Sequence, residues 1–395
     1  MSARVPDGRA AGANADGACP SCIRRCWLLS ALSAALDCCA RDRDRLQALL
    51  GLTDERLIAA VGGRRKARLL DEHRTFAPSR LRRGRDVQRI CRHRGGFPQA
   101  LSAKAAPHML NVAGSAERLR SLAAGPMVAI VGSRGASDYG MAMAHGLARE
   151  LAASGVAVTS GLADGIARAA HEGALEGQGE TVAVLGGGLG RCAVSRRALL
   201  ERVTRAGCAV SELPCECDGR RWGALAAERT LVGLAALTIV VEAEDTPEDL
   251  AAARIASALG RTVAAIPGRV TSPLSHGTNA LLMDGAHLVR GAADALELLF
   301  AAHVDQGAVR REARSRAPVH AQGREEPPRA LEPRLRRILE RVGAGSDTPQ
   351  KLTSKGIDVA DALLALSELE LMGLLSRGDG GRYVPCRPWH RRVDK

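Results

Sequence analysis

Aromatic residues are scarce in this chain. Trp27, Trp222, Trp389, Tyr139, Tyr383, Phe76, Phe97 and Phe300 are the whole set, 2% of the sequence. A platform that stacks bases needs aromatic faces at close spacing. A nucleic-acid partner would therefore be held mainly through its phosphates. Long apolar runs are also missing. None reaches the roughly 18 residues that read as a membrane helix, and MSARVPDGRAAGANADGACPSC has no continuous apolar core of a secretory signal. These absences predict a cytoplasmic protein with no membrane partner. There is no Walker A lysine motif, no H-E-x-x-H pair and no Ser–His–Asp set that spacing can assemble. Asp164, His171, Glu212, Glu242 and His276 fall near strand ends or helix starts, but none is assigned a catalytic role and no cofactor is expected. His171, in AAHEGAL, reads as a helix-packing histidine rather than a base.

Positive charge is plentiful. The net charge is +13 and the pI about 9.7, a balance that favours a polyanionic partner because each neutralised phosphate releases counterions. An Arg-rich composition without functional meaning gives the same numbers. Residues 64–94 concentrate the charge, with twelve Lys/Arg against Asp71, Glu72 and Asp86. Eleven cysteines are many for a cytosolic chain. Cys19, Cys22 and Cys26 sit in CPSCIRRC, close to Cys38 and Cys39. The first spacing could seed a metal site, but no second C-x2-C or paired His follows nearby. The expectation is reduced thiols and no metal, and the same holds for Cys215 and Cys217.

The pattern divides the chain into six parts: a disordered tail at 1–25, a small helical (SAM-like) domain at 26–75, a basic linker at 76–95, a large domain at 96–301, a second linker at 302–330 and a last domain at 331–387. In the large domain the short apolar runs MVAIV, VAVTS, TVAVL, CAVSE, LTIVVE, TVAAI and AHLVR alternate with Ala-rich helical stretches. Runs that are apolar on both faces suit parallel strands covered by two helix layers. The prediction is an α/β fold, an extended Rossmann-like, doubly wound and mostly parallel sheet of roughly seven strands. Three helical stretches and a hairpin at the end of the chain outline a winged-helix-like domain.

Ligands of such sheets bind beyond the carboxyl ends of the strands. VGSRG (131–135), SGLADG (160–165), LGGGLG (185–190) and IPGRV (266–270) lie at such ends, and glycine lets backbone amides turn inward to hold anions. In VAIVGSRGASDYG the second glycine of a dinucleotide fingerprint is replaced by Arg134. That argues against a buried pyrophosphate and for a surface phosphate paired with a guanidinium. LGGGLG reads as a second anion nest or a flexible turn, and Asp138 as the cap of the helix that follows.

Residues 97–300 resemble the DNA-processing protein DprA (Smf) family. The resemblance is carried, in order, by FPQALSAKAAPHMLNVAG, VAIVGSRGASDYG, SGLADGIARAAHEGAL, TVAVLGGGLG, VVEA and GRTVAAIPGRVTSPLSHGTNALLMDGAHLV. It implies a non-enzymatic single-stranded DNA binder that protects incoming DNA and loads the RecA recombinase onto it in natural transformation. It also implies a homodimer formed through the Rossmann-like domain. Arg134 falls on the family's DNA-contacting arginine, with Gly132 and Ser133 in the same loop. The same resemblance brings Ser160, Gly161, Gly186, Gly187, Arg229, Pro267, Gly268, Thr278 and Asn279 to the expected DNA-binding surface. Asp164 stands where the family usually has Lys or Arg, ALAAERTLVGL where it has a Phe- and Arg-containing segment, and PEDLAAA where it has a Ser-rich one. The alternative is a nucleotide-binding or nucleotide-cleaving enzyme of the related lysine-decarboxylase-like Rossmann group. LGGGLGRCA lacks the Thr and Glu of that group's PGGxGTxxE loop. A transcription regulator is a third reading, supported only by the end of the chain.

Overall fold

The computed structural model describes residues 17–101, 106–300, 332–346, 348–353, 357–372, 374–377 and 383–385. The chain forms two compact units, 1–316 and 317–395.

The first unit opens with five helices: α1 (Pro20–Ala31), α2 (Ser33–Cys39), α3 (Arg43–Leu50), α4 (Asp54–Val61) and α5 (Lys66–Thr75). Pro20 occupies the first turn of α1, where its missing N–H costs nothing. Asp42 caps α3 by accepting from the Arg45 amide. Next come β1 (Val87–Cys91), β2 (Met109–Gly114), α6 (Ala116–Ala124), β3 (Met127–Val131), α7 (Asp138–Ala153), β4 (Ala157–Ser160), α8 (Ile166–Glu176), β5 (Thr181–Val184), α9 (Val194–Ala206), β6 (Cys208–Ser211), α10 (Arg220–Leu234), β7 (Leu237–Val240), α11 (Ala251–Ala258), β8 (Thr262–Ala265), α12 (His276–Met283) and β9 (His287–Leu288). A helix, α13, follows at 292–300.

The sheet has nine strands in the order β1-β2-β6-β5-β4-β3-β7-β8-β9. From β6 to β9 every pairing is parallel, while β1–β2 and β2–β6 are antiparallel. The seven expected strands are all present. In β3 the side chains alternate as a pleat requires. Val128 and Ile130 enter a core built with α7, α8 and α13. Met127 and Ala129 enter another with α6, α10 and α11. This two-sided burial is why the central runs are largely apolar.

Four expectations need correction. The basic stretch 76–95 is not a linker, because it contains β1. Arg89 is buried there, and its guanidinium donates to the Leu81 and Arg82 carbonyls at 2.8 and 2.9 Å. Residues 20–25 belong to α1 rather than to a tail, with Cys22, Ile23 and Arg25 buried; residues 1–16 of the expected tail lie outside the described residues. The N-terminal helices do not stand apart, since Leu28, Leu36, Leu46 and Leu57 share one core with Trp222 and Leu225 of α10. The cap of α7 is Ser137, which accepts from the Gly140 amide at 3.1 Å, and Asp138 is the first helical residue.

The second unit contains α14 (Pro333–Gly343), α15 (Pro349–Thr353), α16 (Val359–Leu371) and the antiparallel pair β10 (Leu375–Arg377) and β11 (Tyr383–Pro385). Leu335, Ile338, Leu339, Leu352, Leu366, Leu369 and Tyr383 form its core. The linker expected at 302–330 lies outside the described residues. Among the described residues no helix is long and apolar enough to cross a membrane.

Candidate nucleic-acid interface

The strand order reverses at β3. Successive strands β4, β5 and β6 run to one side of it, and β7, β8 and β9 to the other. The crevice beyond the carboxyl ends of β3 and β7 is where an open α/β sheet accepts ligands. Residues 132–137 leave β3 at that point, and Glu242 lies just beyond β7.

Glu242 fixes the loop. It is buried, and its backbone carbonyl accepts from the Ser133 amide at 2.7 Å. Its carboxylate accepts from the Ser137 amide at 2.8 Å and the Ser137 hydroxyl at 2.6 Å. A Cβ on Gly132 would lie 2.6 Å from the Glu242 carbonyl oxygen and 2.8 Å from Ile166, so only glycine fits. On the other side, the Ser133 carbonyl accepts from the Ile166 amide at 3.2 Å. Gly165 turns there with φ 77°, a conformation glycine adopts without strain, and a Cβ on it would meet the Arg134 carbonyl at 2.6 Å. The loop is held from both sides. Arg134, at its tip, is exposed.

The neighbouring loops are fixed in the same manner. His171 is fully buried; its Nε2 lies 2.7 Å from the Gly161 carbonyl and its Nδ1 2.8 Å from the Thr181 hydroxyl. A carbonyl only accepts, so Nε2 carries the proton. Burial pushes the ring's pKa down to about 4, leaving it neutral. This is the packing role expected for it. Asn279 grips Gly268 reciprocally, accepting from its amide and donating to its carbonyl, both at 3.2 Å. The half-exposed Tyr139 donates to the Pro267 carbonyl at 3.3 Å, and Arg269 beside it is exposed.

Asp164 is paired. Its carboxylate lies 3.0 Å from Arg196 Nη2 on α9, and both side chains are exposed. A cation supplied by a different helix thus stands beside the anion in this loop. Arg196, Arg269 and Tyr139 are surface groups that motif reading passed over, because nothing local marks them. The signal for Glu242 was its position just past the end of a strand.

Several expected contact residues are occupied inside the fold. The Ser160 hydroxyl is buried and donates to the Ile130 carbonyl at 2.7 Å. Thr278 is buried and donates to the Ser275 carbonyl. Arg229 is buried against Glu212 at the end of β6, with Nε 3.3 Å from Oε1 and Nη2 close to Oε2, and Thr230 donates to the same carboxylate at 2.6 Å. None of these three presents a group to a surface ligand. Part of the LGGGLG backbone is taken up inside the fold. The Gly188 and Gly190 amides donate to the Cys217 and Cys215 carbonyls at 2.8 and 2.9 Å, and Gly186 is pressed against α10, where a Cβ would lie 2.8 Å from Ala224 Cα. The Gly187 carbonyl accepts from the Ser211 hydroxyl at 2.7 Å. Gly132, Gly161, Pro267 and Gly268 shape the crown through their backbones, while Ser133 is nearly buried and accepts from the Gly135 amide at 3.2 Å.

One carboxylate near Arg134 titrates unusually. Burial of Glu228 on α10 raises its pKa from 4.5 to about 7, against the opposing pull of Arg43 and Arg134 and with help from Asp249 and Glu248. Arg43 of α3 is 3.8 Å away. The folded state therefore keeps a proton that the unfolded chain has lost between about pH 4.5 and about 7, and stability falls as the pH rises through that window. In Glu228→Gln this component is absent. The melting temperature of the variant minus that of wild type should rise across the window and level off above it. A difference that stays flat with pH would refute the assignment.

The model of the DNA recombination-mediator protein A family matches residues 88–300. The chain belongs to this family. Among individual members, it is 37% identical over 259 residues to the DNA processing protein DprA of Mycobacterium tuberculosis, covering 64% of this chain and 62% of that protein. It is 37% identical over 204 residues to protein Smf of Escherichia coli, covering 51% of this chain and 54% of that protein. The chain thus matches less than two thirds of the length of these relatives. The X-ray structure of DprA from Streptococcus pneumoniae superimposes with a TM-score of 0.55 at 25% identity, covering 70% of this chain and 95% of that one. The match agrees with the expected DprA (Smf) resemblance and with the Rossmann-like sheet. It begins within β1, so the strand hidden in the basic stretch is part of the family's domain.

Proposed function

We propose that this chain binds single-stranded DNA across the carboxyl ends of its parallel strands, and that Arg134 pairs with a phosphate at the point where the strand order reverses. The observation that carries the reading is an exposed guanidinium on a loop immobilised from both sides, at the crevice where sheets of this class hold ligands. The net charge of +13 favours a polyanion, and the scarcity of aromatic residues favours phosphate contacts over base stacking. Family membership supports DNA processing as the setting. In that setting the protein carries out no enzymatic step, acts in the cytoplasm as a homodimer, protects incoming DNA and passes it to the RecA recombinase during natural transformation. The C-terminal unit, three helices and a hairpin, serves as a winged-helix domain.

The test is binding of labelled oligo-dT by fluorescence anisotropy over a salt series. Wild type should bind with micromolar or tighter affinity, falling steeply with salt. Arg134→Ala should bind about tenfold more weakly, with a log–log salt slope shallower by roughly 0.7, the contribution of one phosphate on a single strand. Equal binding by both proteins removes Arg134 from the site. No binding by wild type at low salt rejects the DNA reading.

A further inference from the structure

Four side chains able to ligate a metal converge where α1 meets β1. Cys19 is the residue that caps α1, Cys22 lies in its first turn and Cys91 ends β1. His93 follows two residues later, in the turn that leaves the strand. The three sulfurs and one imidazole nitrogen all lie within 4.8 Å of one another. His93 Nδ1 is 3.2 Å from Cys22 Sγ and 3.5 Å from Cys19 Sγ. The Cys19 amide points at Cys91 Sγ, 3.3 Å away. Zinc bonds of about 2.3 Å to sulfur and about 2.05 Å to nitrogen, in a tetrahedron, give S···S edges of about 3.8 Å and S···N edges of about 3.5 Å. The Cys22 and Cys19 sulfurs already lie at about the S···N edge length from His93, and every ligand atom is within 4.8 Å of the others.

Ordinary core packing does not account for this arrangement. Buried cysteines often act as small apolar residues, and Cys22 and Cys91 are buried. His93, however, is exposed, yet its ring nitrogen is turned into the cysteines. The cysteines are free thiols. Among the described residues no other group of His, Cys, Asp and Glu converges in this way.

We propose that Cys19, Cys22, Cys91 and His93 form a closed tetrahedral zinc site that staples the start of the N-terminal helices to the edge of the sheet. Three thiolates and one imidazole are a soft donor set that suits Zn2+. The protein fills all four positions, which leaves none for water and makes the site structural rather than catalytic. Binding releases the thiol protons to solvent. The staple has a mechanical purpose. β1 is the outermost strand, and beyond it the described chain offers only a single bridge between Gly17 and Ile90. The metal would join segments 71 residues apart, Cys22 and His93, and so restrict the unfolded chain as a cross-link does. This departs from the expectation of unligated thiols, which rested on nearness in sequence. The inference is independent of the DNA-binding reading.

The experiment uses the full chain purified under reducing conditions. Wild type should carry about one Zn2+ per chain, and Co2+ in its place should give the intense visible bands of a tetrahedral thiolate site. Cys38→Ser, an exposed cysteine outside the cluster, should keep the full metal content. His93→Ala and Cys91→Ser should lose it. His93 is exposed, so its variant tests the site even if Cys91→Ser fails to fold. A strong chelator should lower the melting temperature of wild type towards that of His93→Ala and leave His93→Ala unchanged. Wild type free of metal, His93→Ala with undiminished zinc, or an octahedral cobalt spectrum would each overturn the proposal.

Discussion

Arg229→Met should destabilise the protein by about 3–5 kcal/mol, the usual cost of removing one partner from a buried ion pair. The Glu212 carboxylate would then stay buried with the Thr230 hydroxyl still donating to it but no cation beside it. Urea unfolding measures the loss. The double variant Arg229→Met with Glu212→Leu should recover much of it, because two apolar residues leave no uncompensated charge. The folded fraction of either variant should bind oligo-dT as wild type does. The opposite pattern, an unchanged unfolding midpoint with lost DNA binding, would return Arg229 to the interface where the family resemblance put it.

Glu242→Ala should weaken DNA binding about as much as Arg134→Ala, and should cost roughly 2–3 kcal/mol of stability because it strands the Ser137 amide and hydroxyl. The sign of the binding effect is informative. Removing a carboxylate near a phosphate site raises affinity if charge alone matters, through weaker repulsion. A fall in affinity means that Glu242 acts by holding the loop that presents Arg134. Glu242→Gln, which keeps one accepting oxygen, should fall between wild type and Ala in stability. Tighter oligo-dT binding by Glu242→Ala would show that the loop keeps its shape without the anchor.

The parallel core could be read directly because its central strands are buried on both faces and so remain largely apolar. β1 was hidden for the opposite reason. Its Arg89 makes the segment look like a solvated linker, and the carbonyls of Leu81 and Arg82 that satisfy the guanidinium are brought to it only by folding. The N-terminal helices were recognisable as helices, but their dependence on Trp222 was not, since a helical pattern shows that a face is apolar and not what covers it.

Sequence by itself determined the doubly wound sheet and the place of Arg134, because both follow from short-range pattern: apolar runs, glycine turns and a residue directly after a strand. Tertiary structure decided which polar groups are free to act. Ser160, Thr278 and Arg229 satisfy partners inside the protein, and the Gly188 and Gly190 amides are turned to the carbonyls of Cys217 and Cys215. Asp164 is matched by Arg196, and Cys19 and Cys22 meet Cys91 and His93. A hydrogen-bonding group on a folded protein is available to a ligand only if no nearer partner has claimed it, and for all of these groups except Thr278 that partner lies 17 or more residues away along the chain.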